Sequence, residues 1–320
     1  MLTTTRPDSL VCGVDDSAHA PDVVAVAARL AERLGLRLRL VHSANSNVYL
    51  DGGRRRDALR RGRELLDGLG AHDCAADRVV DLGPPPSLLR AVIDEKTALA
   101  VVGSRGRGPR RAALLGSISH ALAGSSPCPV VVVPPGASVD IAAAPTIVCG
   151  VDGSAGADAA LQHGAALASA LGGRLLAVHV RADALTPHAT SLMPGRQPFT
   201  GSLNDAPVAL AAVEHSLERL DIDIPISTRV ESGHAADRLA AVAAQEPAAI
   251  VVVGSRGHGA VRAAVLGSVS LRLAASAPVP VMIVSPAALR RQHDAPGRDA
   301  RDACSRLTSG QDLMVMLADE

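Results

Sequence analysis

One segment of this chain occurs twice. VVGSRGRGPRRAALLGS, Val101 to Ser117, returns 151 residues later as VVGSRGHGAVRAAVLGS, Val252 to Ser268, with 13 of 17 positions identical. A second pair, VCGVDDS at Val11 to Ser17 and VCGVDGS at Val148 to Ser154, lies 137 residues apart. The chain is therefore a tandem duplication, and both copies must fold alike. The second copy has gained a net 14 residues between its landmarks, and the Pro-, Gly-, Ser- and Thr-bearing stretch Arg181 to Pro207 is where that gain is expected.

Within each copy, short apolar runs alternate with longer amphipathic stretches, the pattern of parallel strands joined by helices. The first half predicts strands at Leu10 to Val14, Leu36 to Val41, Arg78 to Leu82, Ala98 to Gly103 and Val130 to Val133. Its predicted helices are Pro21 to Leu34, Arg54 to Leu69, Pro86 to Glu95 and Ser117 to Ala123. The second half predicts strands at Ile147 to Val151, Arg174 to Val178, Ser227 to Val230, Ala249 to Gly254 and Val281 to Val284. Its helices are Ala157 to Leu171, Pro207 to Leu220, Ala235 to Ala244 and Ser268 to Ala275. Runs such as ALAVVG and AIVVVG are apolar at successive positions, as in strands covered on both faces. The fold class is α/β: two doubly wound domains, residues 1–140 and 141–289, followed by a tail, 290–320, that is disordered or adds one element through LMVML. The fifth strands, PVVVVPP and PVMIVSP, are expected at sheet edges, where they invite a partner or pair with each other inside one chain.

Charge narrows the partners: 32 basic and 32 acidic residues balance, so no long-range field draws the chain to nucleic acid or a membrane. No apolar run nears the roughly 20 residues of a membrane helix, and the N-terminus lacks a signal-peptide pattern, so a soluble cytoplasmic protein is expected. Cys12, Cys74, Cys128, Cys149 and Cys304 form no CxxC pair, which suits a reducing compartment and argues against a zinc site. Tyr49 and Phe199 are the only aromatic residues of the Phe, Tyr and Trp class, too few for a base-stacking platform.

The repeated glycine segment leaves an apolar strand and enters a helix, so it can aim backbone N–H groups at an anion near the helix N-terminus. Gly103, Gly106 and Gly116 recur as Gly254, Gly257 and Gly267, each set ending in serine, Ser117 or Ser268. The serine can cap the helix or donate to a phosphate oxygen, and the glycines serve turns or close approach. No Gly-Lys-Ser/Thr is present, so this is not a P-loop, and a loop after the fourth strand is not a dinucleotide fingerprint.

The pattern G-x2-G-x9-G-S after a fourth strand, with a first strand ending VDxS, resembles the ATP-binding branch of the universal stress protein family. The resemblance covers residues 8 to 136 and 145 to 286. It implies a five-stranded parallel sheet in the order 3-2-1-4-5 in each half, and a phosphate and ribose loop at Gly103, Gly106, Gly116 and Ser117 and at Gly254, Gly257, Gly267 and Ser268. It also places the first-strand aspartate at Asp15 and Asp152, and the residue whose backbone faces adenine at Val41 and Val178. The acidic residue that often opens the family's fourth strand is replaced by Ala98 and Ala249, and VDGS in the second half is closer to the family's wording than VDDS, so unequal affinities are expected.

The residues themselves leave alternatives open. Asp15 and Asp152 either hold ribose hydroxyls or a nucleotide-borne magnesium ion, or cap the next helix in competition with Ser17 and Ser154. Arg105 and Arg256 either reach a phosphate or stay solvated, and Arg111 and Arg262 suit a salt bridge equally well. His42 and His179 follow the second strands without a matching nucleophile and are expected to be structural. With no catalytic constellation, the expected role is an ATP-binding regulatory protein of the stress response, with slow hydrolysis at most. One adenine nucleotide per domain would tune contacts with a regulatory protein partner, and homodimerisation stays open. The rival is a nucleotide-free interaction module with structural glycines, and an ATP-dependent ligase or nucleotidyl transferase stands third.

Overall fold

The computed structural model describes residues 7–45, 49–69, 76–105, 115–181, 213–214, 217–218, 220, 222–247, 250–257 and 266–293. Gly106, Arg111, Arg262, Phe199, Cys74, Cys304, Ala249 and most of the helix expected over Pro207 to Leu220 lie outside them.

The first half runs β1 (Ser9–Val14), α1 (Ala20–Arg33), β2 (Arg37–Asn45), α2 (Gly52–Gly68), β3 (Ala76–Leu82), α3 (Pro85–Val92), β4 (Thr97–Gly103), α4 (Ser117–Ser125) and β5 (Val130–Val133). The second continues β6 (Thr146–Gly150), α5 (Ala155–Ala170), β7 (Arg174–Arg181), β8 (Ile226–Ser232), α6 (Ala235–Gln245), β9 (Ile250–Gly254), α7 (Ser268–Ser276), β10 (Val281–Val284) and α8 (Pro286–His293). Helix α8 crosses the boundary that the sequence places between 289 and 290. Its apolar content, Ala287, Ala288 and Leu289, is too short to show a period, which is why the tail reading misses it.

All ten described strands form one sheet in the order β3-β2-β1-β4-β5-β10-β9-β6-β7-β8. Pairing is parallel within each half, and β5 meets β10 antiparallel in the register Val130↔Ile283, Val131↔Met282, Val132↔Val281. Each fifth strand ends the run of its own half, and of the two outcomes expected for it the pairing inside one chain is the one found: β5 and β10 together sit at the centre, and β3 and β8 are outermost among the described strands. The reason is burial. All four residues of β5 and of β10 are buried, and an edge would leave such apolar strands open to solvent and to aggregation. The core lies on both faces, with Leu10, Leu30, Val131 and Met282 on one side and Val11, Leu89, Val132 and Ile283 on the other.

Polar contacts lock the seam. Ser285 Oγ donates to Ser126 O at 2.5 Å, and Ser138 N to Pro278 O at 2.9 Å. Arg33, in the last turn of α1, donates to the carbonyls of Ala142, Ala143 and Leu171 at 2.5, 2.7 and 2.5 Å. The Leu171 carbonyl ends α5, so an arginine from one half satisfies an otherwise unpaired helix terminus in the other.

Candidate functional site

At the carboxyl ends of the strands each half opens a cavity where the chain leaves β1 and β4, or β6 and β9. In a doubly wound sheet this is the topological switch point, because β1 and β4 send their chains to opposite faces. The first cavity, about 810 Å³, is lined by Asp15, Val41, Gly103, Gly116 and Ser117 among others. The second, about 390 Å³, is lined by Asp152, Val178, Gly254, Gly257, Gly267 and Ser268. Every sequence-expected site residue that falls within the described residues therefore lies on one of two cavity walls; Gly106 falls outside them. Both volumes are of the size that ordinarily accommodates a small molecule.

The glycine-loop serines do not cap. Gly116 and Gly267 take the N-cap positions of α4 and α7 in extended conformation, with no side-chain cap, and Ser117 and Ser268 are the first helical residues. An N-cap needs a non-helical backbone, and glycine supplies it without a side chain in the mouth of the cavity. Ser119 and Ser270, two residues further into each helix, do the fastening: their Oγ atoms donate to Gly103 O at 2.5 Å and Gly254 O at 2.7 Å. Each helix start is thereby tied to the end of its own strand, with its first backbone N–H groups left for the cavity.

The aspartates make local turns. Asp15 Oδ1 accepts from Ser17 N at 3.1 Å, and Asp152 Oδ1 from Ser154 N at 3.0 Å and Ser154 Oγ at 2.6 Å. The two helix starts then differ. Ser154 caps α5 by accepting from Ala157 N at 3.2 Å, whereas His19 holds the N-cap position of α1 without a side-chain cap, so Ser17 does not serve there. Asp152 Oδ2 also stands where a Cβ at Gly257 would fall, so aspartate and loop meet directly in the second half.

His42 and His179 place Nδ1 2.9 Å from the carbonyls of Val14 and Val151, and both rings are buried. A carbonyl only accepts, so Nδ1 carries the proton in each ring and fixes the end of the first strand to the second. The described cysteines, Cys12, Cys128 and Cys149, are free and buried, and burial pushes the Cys12 thiol up to about 12 and Cys149 likewise upward. These are inert core thiols.

Sequence reasoning passed over two glycines. A Cβ at Gly13 would stand 3.1 Å from both Leu89 and Val102, and one at Gly150 3.0 Å from Leu239 and 3.2 Å from Val253. Both glycines line their cavities, where a bare backbone leaves a slot walled by aliphatic side chains. The signal was present in the repeated VCGVD, since an interior glycine weakens a strand unless something must approach it closely.

The construction sets an apolar slot beside an anion-binding end. Aliphatic walls suit a flat base, and an uncapped helix N-terminus beside a glycine suits a phosphate.

Comparison with known proteins agrees with the architecture. The family model described as "Universal stress protein family" matches residues 8–134 and again 144–285. Universal stress protein Rv2623 of Mycobacterium tuberculosis is 31% identical over 293 residues, covering 86% of this chain and 95% of that protein. Universal stress protein Rv2005c of the same organism is 29% identical over 302 residues, covering 88% and 99%. Among solved structures, a universal stress protein from Archaeoglobus fulgidus DSM 4304 superposes with a TM-score of 0.63 at 19% identity, covering 88% of this chain and 99% of that one, a likeness of fold. With two matched copies of the family domain covering most of its length, this chain belongs to the universal stress protein family.

Proposed function

We propose that this chain is an adenine-nucleotide-binding regulatory protein of the stress response, with ATP, alone or with magnesium, as the ligand of each cavity. The observation that carries the reading is convergence. Residues marked by the repeat come from three places in each half, the first strand, the second strand and the glycine segment, and they meet on one wall at the switch point. Val41 and Val178 would face the base, Asp15 and Asp152 the ribose or its magnesium, and the loop with Ser117 or Ser268 the phosphates.

The proposed role is binding rather than turnover. Aliphatic side chains such as Val41, Leu88 and Leu89 in the first cavity and Val178 and Leu239 in the second stand among the polar lining groups, and the buried rings of His42 and His179 have their Nδ1 protons committed to Val14 and Val151. Occupancy would act by changing the surface offered to a partner protein. No described helix is long and apolar enough to cross a membrane.

A specific observation favours the rival interaction module: a Cβ at Gly254 would lie 2.6 Å from Gly156 O, so packing alone demands glycine there. One experiment separates the two readings. With no tryptophan and a single tyrosine, bound adenine would dominate the near-ultraviolet absorbance of the purified chain. Acid extraction and chromatography should yield adenine nucleotide, and excess MgATP at a hundred times its Kd should stabilise the fold by about 2.7 kcal/mol. A chain that purifies empty and gains no stability at millimolar ATP is the interaction module instead.

A further inference from the structure

We propose that the two cavities are energetically coupled through Arg105, an inference that rests on the nucleotide reading above and adds regulation to it. Arg105 lines the first cavity, yet its Nη2 donates across the seam to Ala275 O in the second half, at 3.3 Å. Ala275 lies in the last turn of α7, where carbonyls lack intrahelical partners and the negative end of the helix dipole gathers. The other end of the same helix, Gly267 and Ser268, lines the second cavity. One nine-residue helix, about 13 Å long, therefore has its N-terminus in one site and its C-terminus on a side chain of the other.

The helix is fastened at both ends, so movement at one end is felt at the other. Ser270 Oγ holds the first turn to Gly254 O at 2.7 Å, and Ala277 N closes the last turn on Leu273 O at 2.8 Å. A guanidinium carries five donors in a planar fork, so Arg105 can keep Ala275 on one edge and meet an anionic oxygen of the first ligand with another. The loss of side-chain freedom is then incurred once for both contacts. Filling the first cavity fixes the brace on α7 and so favours anion binding at its N-terminus. By linkage, filling the second favours the first to the same extent.

The test is equilibrium dialysis of MgATP against the full chain. Two nucleotides per chain are expected, with a curve steeper than two independent sites produce and each site tightened about fivefold or more by occupancy of the other. Arg105→Ala should still bind at the second cavity, which it does not line, but with the steepness gone. Arg105→Lys keeps charge and donor without the fork and should lose the coupling too. In nucleotide-free protein, amide exchange at Ala277 should rise about fivefold in Arg105→Ala, reporting the brace by itself. Two-site binding without steepness in the wild type, or steepness that survives in Arg105→Ala, overturns the coupling alone. A chain that binds no adenine nucleotide overturns the functional reading and this inference together.

Discussion

Val131 of β5 faces Met282 of β10 across the antiparallel pair, and the two are the same position of the repeat, 151 residues apart. A pseudo-twofold axis therefore passes between them, and both side chains are almost wholly buried. The seam between the halves is thus built like a sheet interior, so the halves should unfold as one unit. Urea denaturation of the wild type should show a single transition. Met282→Ala should lower stability by about 2–5 kcal/mol, as other buried methionine truncations do. Met282→Lys, which buries an unpaired charge at the axis, should split the transition in two. Two resolved transitions in the wild type would show the halves to be independent.

Much of the fold was legible because the helix-covered strands carry their own signature. The runs VVVV and VMIV predict β5 and β10 to the residue, and the repeat predicts that what holds in one half holds in the other. Their mutual pairing was legible only as one of two outcomes, since a short apolar strand reads alike whether another chain or the other half covers it, and only the burial supplied by the other half decides between them. At the candidate site the glycines, the aspartates and Val41 with Val178 stood out by repetition. The fastening serines Ser119 and Ser270 did not, because a serine inside a helix shows its role only once the carbonyl it meets, Gly103 or Gly254, is in place.

The glycines of the second loop should separate by substitution. At Gly254 a Cβ would press on backbone, Gly156 O at 2.6 Å and Arg256 O at 3.1 Å, neither of which can swing aside. Gly254→Ala should destabilise the chain by roughly 1–3 kcal/mol through overpacking. At Gly267 the nearest atom is 3.5 Å away, an ordinary contact, so Gly267→Ala should stay within about 1 kcal/mol of wild type in thermal melts. At Gly257 the obstacle is the Asp152 carboxylate, a movable group. Gly257→Ala should keep the fold, displace Asp152 and weaken nucleotide binding at the second cavity. Similar destabilisation by all three would mean that the loop glycines are structural.

Arg33 offers a test of the clamp behind the sheet. It satisfies three carbonyls, including the end of α5. Arg33→Ala should lower stability by about 1.5–3 kcal/mol, the range for a charge-assisted contact, while leaving the cavities at the opposite end of the sheet unchanged. Arg33→Lys should recover only part of the loss, since one ammonium cannot span three acceptors as a guanidinium does. A full recovery by lysine would reduce the contribution to charge alone.

His163 sets a pH dependence. It lies on α5 with Nε2 shut away from solvent and without a hydrogen-bond partner among the described residues, and burial pushes its pKa down to about 4. The repeat places Val26 at the equivalent position of α1, so the first half fills this place with an apolar side chain. A histidine that must stay neutral when folded but protonates near 6.5 when unfolded lets the unfolded chain bind more protons in that window. Its contribution is therefore complete above pH 6.5 and is lost progressively as pH falls from 6.5 to about 4, by up to about 3.5 kcal/mol at 1.4 kcal/mol per unit. His163→Val should flatten the stability profile across that window and raise stability at pH 5, measured by denaturant unfolding at a series of pH values. A variant with the same slope between pH 6.5 and 4 as the wild type would place the acid sensitivity on other groups.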